Sequence, residues 1–173
     1  MITDGLVPRS EWTDATIIGG NFVSWYGGFD SYMVAREIGD PITAPSMGRK
    51  QPQEDAIQDI SYMAYMNWRQ WITALGQFNI GVHLMRTHAA GTFAMNCAWH
   101  GIPSIGYKGL DTQELCHPLT TVDVGDLDQA VELGKRLKSN EEFYKLCSET
   151  AHRRFQKHYT EEAWLKKWRI THE

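Results

Sequence analysis

The fold is decided by residues 80–107, which read IGVHLMRTHAAGTFAMNCAWHGIPSIGY. The apolar run Ile80–Met85 predicts a buried strand, a short loop follows it, and Gly91–His100 predicts a helix. Gly101 stands where glycine commonly terminates a helix, and Pro103–Tyr107 predicts the next strand. A strand, a helix and a second strand in this order indicate two parallel strands of an α/β sheet.

The same alternation of short apolar runs and amphipathic segments continues on both sides of this unit. Further strands are predicted at Ala15–Ile18, Ile42–Ala44, Ile60–Met63 and Thr120–Val124. Three helices are predicted to begin after an N-cap residue: one from Asp30 to about Ile38, one from Asn67 to about Phe78 and one from Asp126 to about Lys138. Further helical segments are predicted at 54–59, at about 140–158 and at about 161–170. We therefore expect residues 15–173 to form one α/β domain after an irregular lead-in over residues 1–14. The expected fold is Rossmann-like, with a parallel sheet, helices on both faces and extra C-terminal helices.

The composition is that of an ordinary globular protein. The 173 residues are 42% hydrophobic, and 17 basic against 21 acidic residues give a formal net charge of −4. This balance gives no reason to expect a nucleic-acid partner, and no apolar run approaches the roughly 20 residues that span a bilayer. No charged-then-apolar leader opens the chain, and three cysteines without paired spacing favour a reducing compartment, so we expect a cytoplasmic protein.

Two glycine-containing loops are predicted at the carboxyl ends of strands, where ligands of parallel sheets bind. The first, residues 86–92, leads into a helix whose first backbone N–H groups are unpaired and carry partial positive charge. Gly91 would let a diphosphate approach closely, while Arg86 and His88 would add charge or hydrogen bonds. The second loop follows the first strand and contains Gly19, Gly20, Asn21 and Phe22. Both loops also fit ordinary turns, because every strand-to-helix connection contains one.

Residues 90–106, AGTFAMNCAWHGIPSIG, resemble the donor-site helix of retaining GT-B glycosyltransferases, which ends Glu-Ala-x-Ala-x-Gly-x-Pro before a strand. Gly101-Ile102-Pro103 matches the Gly-x-Pro, and Ile17–Gly20 resembles the first strand and glycine turn of the same domain. The resemblance covers about residues 15–170 and rests on the order and spacing of segments more than on residue identity. It implies the C-terminal, nucleotide-sugar-binding half of a glycosyltransferase. Such an enzyme would transfer a hexosyl group from a nucleotide-diphosphate sugar to an unknown acceptor, with no metal or other cofactor.

The resemblance also implies roles for individual residues. The family usually carries two glutamates eight positions apart around this helix, and His88 and Asn96 stand at those positions. His88 would contact the donor sugar or phosphate and is the catalytic candidate, while Asn96 would hydrogen-bond the ribose without a carboxylate's charge. The diphosphate would lie on the backbone amides of Ala90, Gly91 and Thr92. The basic residues that usually follow the first strand are missing, so its charge would be neutralised by Arg86, Arg49 or Lys50.

The nucleotide base is assigned to a segment rich in aromatic and thioether side chains. The family holds the base at the position of residues 62–67, where the candidates are Tyr62, Met63 and Tyr65. An aromatic ring can stack on a base, although core packing or a domain contact explains either tyrosine equally well. GT-B enzymes use two Rossmann-like domains, and the N-terminal one usually holds the acceptor. A chain with residues for one such domain would need a partner chain or an N-terminal domain, and alone would bind its donor weakly.

Three alternatives remain open at this stage. A structural metal ion would have to use ligands that show no close-spaced pair of motifs, namely His83, His88, His100, His117, Cys97 and Cys116. We expect no metal, and we expect His83 to be a hydrogen-bonded core histidine and His117 to belong to a turn. Nucleophilic catalysis by Cys97 or Ser104 lacks an electropositive setting or the glycines of a nucleophile elbow. The missing glutamates favour a non-catalytic binding or regulatory module of the same topology, whereas the retained loop glycines favour the enzyme.

Overall fold

The computed structural model describes residues 6, 13–39, 41–45, 52–88 and 91–171. Within them, six parallel strands form one sheet in the order β3-β2-β1-β4-β5-β6. The strands are β1 Thr16–Ile18, β2 Ile42–Pro45, β3 Ile60–Met63, β4 Ile80–His83, β5 Ser104–Tyr107 and β6 Thr121–Val122. Each predicted strand is present, and β4 and β6 are shorter than their apolar runs.

Helices connect and cover these strands. They are α1 Gly28–Ile38, α2 Trp68–Leu75, α3 Thr92–His100, α4 Asp111–Cys116, α5 Leu127–Ser139, α6 Glu141–Tyr159 and α7 Glu161–Thr171. Short 3₁₀ turns lie at Ser24–Tyr26, Pro52–Ala56 and Pro118–Thr120. Helix α4 was not predicted, because its six residues carry too short a pattern to be separated from a turn.

The central strands of the sheet are buried on both faces, whereas the edge strand β3 is partly exposed. On one face, β4 residues Ile80 and Val82 join a cluster with Val34 and Ala35 of α1 and with residues of α5 and the start of α6. On the other face, Ile17 of β1 packs with α2 and α3. A third cluster joins α2, α3, α4 and α6 through Ile72, Ala98, Trp99, Cys116, Ala151 and Phe155. The structure therefore confirms the three-layer Rossmann-like α/β fold.

Two helix starts follow the predicted caps and one does not. Asn67 caps α2 in a reciprocal capping box with Gln70, and Asp126 accepts a hydrogen bond from the Gln129 amide at the start of α5. The prediction that Asp30 caps α1 was wrong, because α1 begins at Gly28 and Asp30 lies inside its first turn. Of the predicted lead-in 1–14, residues 1–5 and 7–12 lie outside the described residues.

Candidate functional site

A cleft of about 330 Å³ opens at the carboxyl edge of the sheet. It lies where the strand order reverses between β1 and β4, the usual ligand position in open α/β sheets. Its walls come from the ends of β2, β3 and β4, the turn after β1, and helices α2 and α3. The lining residues are Gly20, Tyr26, Pro45, Met63, Ala64, Tyr65, Met66, Trp71, His83, Met85, Gly91, Thr92, Phe93 and Asn96.

The turn after β1 forms one wall of the cleft through a close contact with β4. A Cβ placed on Gly19 would lie 2.7 Å from His83 Cγ and 2.8 Å from Phe93 Cγ, so only glycine fits there. Gly20 lines the cleft, whereas the other two predicted residues of this loop point elsewhere. Asn21 Oδ1 accepts a hydrogen bond from the Val23 amide at 3.2 Å, and the Phe22 ring is buried in the core.

The first turn of α3 forms the opposite wall. Gly91 precedes the helix without a side-chain cap, so the first N–H groups of α3 have no partner from a capping side chain, and Gly91 and Thr92 line the cleft. Ala90, the third predicted phosphate-binding residue, lies outside the described residues.

The role predicted for Gly91 needs correction. A Cβ placed there would overlap the Leu110 side chain and lie 2.6 Å from Thr112 Oγ1, and the Thr112 hydroxyl donates a hydrogen bond to the Gly91 carbonyl at 2.7 Å. The glycine therefore makes room for a neighbouring segment of the protein. A valine at this position would disturb packing before it obstructed a ligand.

Two buried polar side chains in the cleft have atoms without a hydrogen bond. His83 is 6% exposed, and neither ring nitrogen has a partner within the described part of the chain. Asn96 is 4% exposed, and its Oδ1 is unpaired in the same way. Burial lowers the pKa of His83 to about 4, so its imidazole is neutral at pH near 7. The expectation of a hydrogen-bonded core histidine was wrong, because His83 is buried yet unsatisfied at the cleft wall.

The predicted charged residues lie away from this cavity. The Arg86 guanidinium binds Asp30 Oδ2 through Nη2 at 2.7 Å and Nε at 3.1 Å, and the Tyr107 hydroxyl donates to the same oxygen at 3.0 Å. The hydrogen bond that Arg86 donates to Asp30 raises the pKa of Arg86, so the guanidinium stays charged. His88 is exposed and lies against Gly109, where an added Cβ would be 2.6 Å from His88 Cε1. Neither residue lines the cleft.

The described cleft lining holds no lysine, arginine, aspartate or glutamate. Arg49 and Lys50, the other predicted sources of positive charge, lie outside the described residues. Within the described lining, the positive end of α3 is thus the main source of positive potential.

Residues 62–67, which were assigned to the nucleotide base, lie partly in the cleft and partly on the surface beside it. Met63, Ala64, Tyr65 and Met66 line the cleft, and the Tyr65 ring is 83% exposed. Tyr62 lies outside the lining, and its hydroxyl donates to Glu54 Oε2 at 3.2 Å. Neighbouring strand residues point to opposite faces, which separates Tyr62 from Met63.

Several lining residues were not found by sequence reasoning. They are Tyr26, Pro45, Trp71, His83, Met85 and Phe93. Most of them are apolar, and in the sequence they resemble core residues. The available signal was a position at the carboxyl end of a predicted strand, which held for Pro45, directly after one strand, and for Met85, the last residue of another.

The histidines and cysteines of the rival interpretations are otherwise structural. His100 Nε2 lies 2.7 Å from the Ile72 carbonyl oxygen, while His117 accepts from the Ser104 amide at Nδ1 and contacts the Ala94 carbonyl at Nε2. His117 is thus a buried connector and not merely part of a turn. No three His, Cys, Asp or Glu side chains come together among the residues placed by the structure. Cys97 and Ser104 are fully buried.

No helix in the described parts of the chain is both long enough and apolar enough to cross a bilayer.

Solved glycosyltransferase structures share this fold. Sucrose-phosphate synthase from Thermosynechococcus elongatus matches with a TM-score of 0.73 at 13% sequence identity, over 91% of this chain and 44% of that protein. The C-terminal domain of a group 1 glycosyltransferase from Francisella tularensis matches with a TM-score of 0.68 at 13% sequence identity, over 90% of this chain and 89% of that domain. The Anabaena protein HepE, solved with UDP and glucose, matches with a TM-score of 0.70 at 9% sequence identity, over 92% of this chain and 48% of that protein.

The matches cover different shares of these proteins. It spans less than half the length of sucrose-phosphate synthase and HepE, and nearly all of the isolated C-terminal domain. No protein-family model matches the chain, and no curated protein sequence matches it. At these identities the likeness concerns the fold alone. The chain therefore has the fold of the C-terminal, Rossmann-like domain of GT-B glycosyltransferases, as the sequence predicted.

Proposed function

We propose that the cleft binds a nucleotide-diphosphate sugar and that the chain is the donor-binding half of a hexosyltransferase. The observation that supports this most strongly is the pair of buried unpaired groups, His83 and Asn96, in an otherwise largely apolar cleft beside the first turn of α3. Small-molecule sites commonly combine apolar walls with a few convergent polar groups, in volumes of roughly 300–1,000 Å³. The acceptor would be held by a partner chain or an additional domain.

Each part of the donor has a counterpart in the lining. The diphosphate would lie at the first turn of α3, next to Gly91 and Thr92, where unpaired N–H groups stabilise negative charge. The leaving diphosphate would be stabilised there as its charge develops during transfer. The base would stack on Tyr65 beside Met63 and Met66, and Asn96 would accept a hydrogen bond from a ribose hydroxyl.

His88 and Arg86 have a smaller part in this proposal than the sequence predicted. His88 rests on Gly109 and Arg86 is bound to Asp30, so the proposed donor position involves neither side chain. The catalytic role of His88 stays a prediction. Three buried cysteines that form no disulfide within the described residues also fit a reducing compartment, which supports a cytoplasmic location.

A second candidate function is a binding module of the same topology that no longer transfers sugar. It is favoured by the described cleft lining, which carries no acidic or basic side chain. Donor hydrolysis or transfer, measured after an acceptor-binding partner is supplied, distinguishes the two.

The test is saturation-transfer NMR of the purified chain with millimolar UDP, GDP, ADP and CMP, and with sugar conjugates of each. We expect selective transfer to one base and its ribose. Asn96→Ala should weaken that nucleotide about tenfold, the effect of one hydrogen bond, and leave pyrophosphate binding unchanged. Gln129→Ala is the matched control, because this amide is exposed on α5. Silence across the whole panel, or equal weakening of nucleotide and pyrophosphate, would contradict the proposal.

A further inference from the structure

The imidazole of His83 is held in place by packing and not by hydrogen bonds. Its Cγ fills the space beside Gly19, and its ring meets the Phe93 ring edge-on, with centroids 5.2 Å apart and planes at 74°. Nε2 lies 3.1 Å from the position of a Cβ on Gly20, a residue of the cleft wall. The ring is therefore fixed between the glycine turn and α3, with a nitrogen next to the cavity.

Asn96 brings a second unpaired group to the same cavity. It follows Phe93 by three positions on α3, so the two side chains lie on one side of the helix. Its Oδ1 has no hydrogen bond within the part of the chain that the structure describes. An unsatisfied buried polar atom destabilises the folded protein. A ligand bound in this cavity would satisfy both residues.

The chemistry of these atoms identifies the kind of ligand group. A neutral imidazole has one N–H donor and one acceptor nitrogen, and an amide oxygen only accepts. Burial, which lowers the pKa of His83 to about 4, keeps the imidazole in this neutral form. Phosphate oxygens only accept at neutral pH, so they would leave both acceptors facing negative charge. A hydroxyl group both donates and accepts, and adjacent hydroxyls match one donor and two acceptors.

We propose that His83 and Asn96 bind neighbouring hydroxyl groups of a neutral sugar ring, and that His83 selects hydroxyl-bearing ligands over their deoxy analogues. The ring is the ribose or the transferred hexose. This inference rests on the proposed function. It adds a specificity-determining residue that the resemblance does not assign.

The experiment is isothermal titration calorimetry with the nucleoside diphosphate that binds most tightly among UDP, GDP and ADP. Its 2′-deoxy and 3′-deoxy forms and its glucose conjugate are titrated in parallel. The variants are His83→Leu, which removes both nitrogens, and His83→Gln, which keeps a donor and an acceptor. His158→Leu on α6, outside the cleft lining, is the matched histidine control.

For a ribose contact, we expect the wild type to prefer the ribonucleotide over a deoxy form by about tenfold, and His83→Leu to lose this preference. If His83 instead contacts the hexose, we expect the wild type to prefer the glucose conjugate over the nucleoside diphosphate, and His83→Leu to lose that preference. His83→Gln should restore part of the preference, and His158→Leu should match the wild type. The midpoint of thermal unfolding of His83→Leu should equal or exceed that of the wild type, since unsatisfied buried nitrogens are removed.

Two results overturn the inference alone. In the first, nucleotides bind but His83→Leu keeps every preference of the wild type. In the second, affinity falls together with the unfolding midpoint, which indicates a structural role. If no nucleotide binds the wild type, the proposed function fails, and this inference fails with it.

Discussion

The imidazoles of His83 and His117 are equally buried but differ in their surroundings. His117 uses both ring nitrogens to join the Ser104 amide and the Ala94 carbonyl, whereas neither nitrogen of His83 is paired within the described residues. Burial lowers the pKa of each to about 4. His117 connects elements of the fold, whereas His83 lines the cleft.

The lowered pKa values of these two histidines predict how the free energy of unfolding depends on pH. Their folded pKa of about 4 lies below the unfolded value of about 6.5, so in this range the unfolded chain binds more protons than the folded chain. Their contribution to stability is complete above about pH 6.5 and is lost as the pH falls towards about 4. We expect the urea midpoint to decrease steadily between about pH 7 and about pH 5.

The variant His83→Leu tests how much of this pH dependence comes from the His83 side chain. Removing one of the two histidines should make the decrease in the urea midpoint with falling pH shallower than in the wild type. Urea unfolding followed by far-UV circular dichroism at several pH values measures it. A wild-type midpoint that does not change with pH, or an identical slope in the variant, would argue against the assigned pKa shifts.

At the scale of elements, helix α2 connects the core with the cleft. Its buried residues Ile72 and Leu75 pack in the core, and Trp71 lines the cavity. The start of this helix is secured by the capping box, in which the Asn67 side chain accepts from the Gln70 amide at 3.0 Å and Gln70 Oε1 accepts from the Asn67 amide at 3.1 Å.

Removing this cap should destabilise the protein without altering its fold. Asn67→Ala leaves the Gln70 amide unpaired and should lower the free energy of unfolding by about 1 kcal/mol, as measured by urea denaturation. Asn67→Asp retains an oxygen at the cap and adds favourable charge near the helix N-terminus, so it should keep the wild-type stability. Equal stability of the alanine variant would show that the cap contributes nothing.

The start of helix α1 could not be predicted from local sequence rules. Aspartate is favoured at N-caps, which predicted a start at Asp30. The helix begins earlier, and the Asp30 carboxylate is bound by Arg86, which is 56 positions further along the chain. Such a distant partner leaves no local pattern in the sequence.

At the scale of the whole molecule, the three buried clusters each contain one cysteine. Cys147 lies in the cluster on the α1 and α5 face, Cys97 in the cluster of β1, α2 and α3, and Cys116 in the cluster that joins α4 and α6. All three thiols are buried and form no disulfide within the described residues, and burial raises the pKa of Cys116 to about 12 and that of Cys147 to about 11. Thiols of this kind react only when their surroundings open.

Thiol labelling therefore tests whether the domain unfolds as one unit. We prepare three variants that each retain one cysteine and follow labelling in increasing urea by mass spectrometry. Because α3 and α6 contribute to more than one cluster, we expect the three opening free energies to agree within about 1 kcal/mol. A much lower value for a single thiol would indicate that its cluster opens separately.

The candidate site was only partly predictable from the sequence. The predicted residues that line the cleft are Gly20, Met63, Tyr65, Gly91, Thr92 and Asn96. Those that lie elsewhere are Gly19, Asn21, Phe22, Tyr62, Arg86 and His88. Loops at strand ends could be located from chain order, but side-chain direction and competing partners could not.

The sequence by itself determined the order of strands and helices, two helix caps and the Rossmann-like class, because hydrophobic periodicity and capping act over a few neighbouring residues. Tertiary structure alone decided that Arg86 turns to Asp30, that Gly91 makes room for Leu110, and that the ring nitrogens of His83, at the cleft, have no hydrogen-bond partner among the described residues. These outcomes depend on contacts between residues far apart in the chain. Such contacts exist only once the sheet has brought the ends of its strands together.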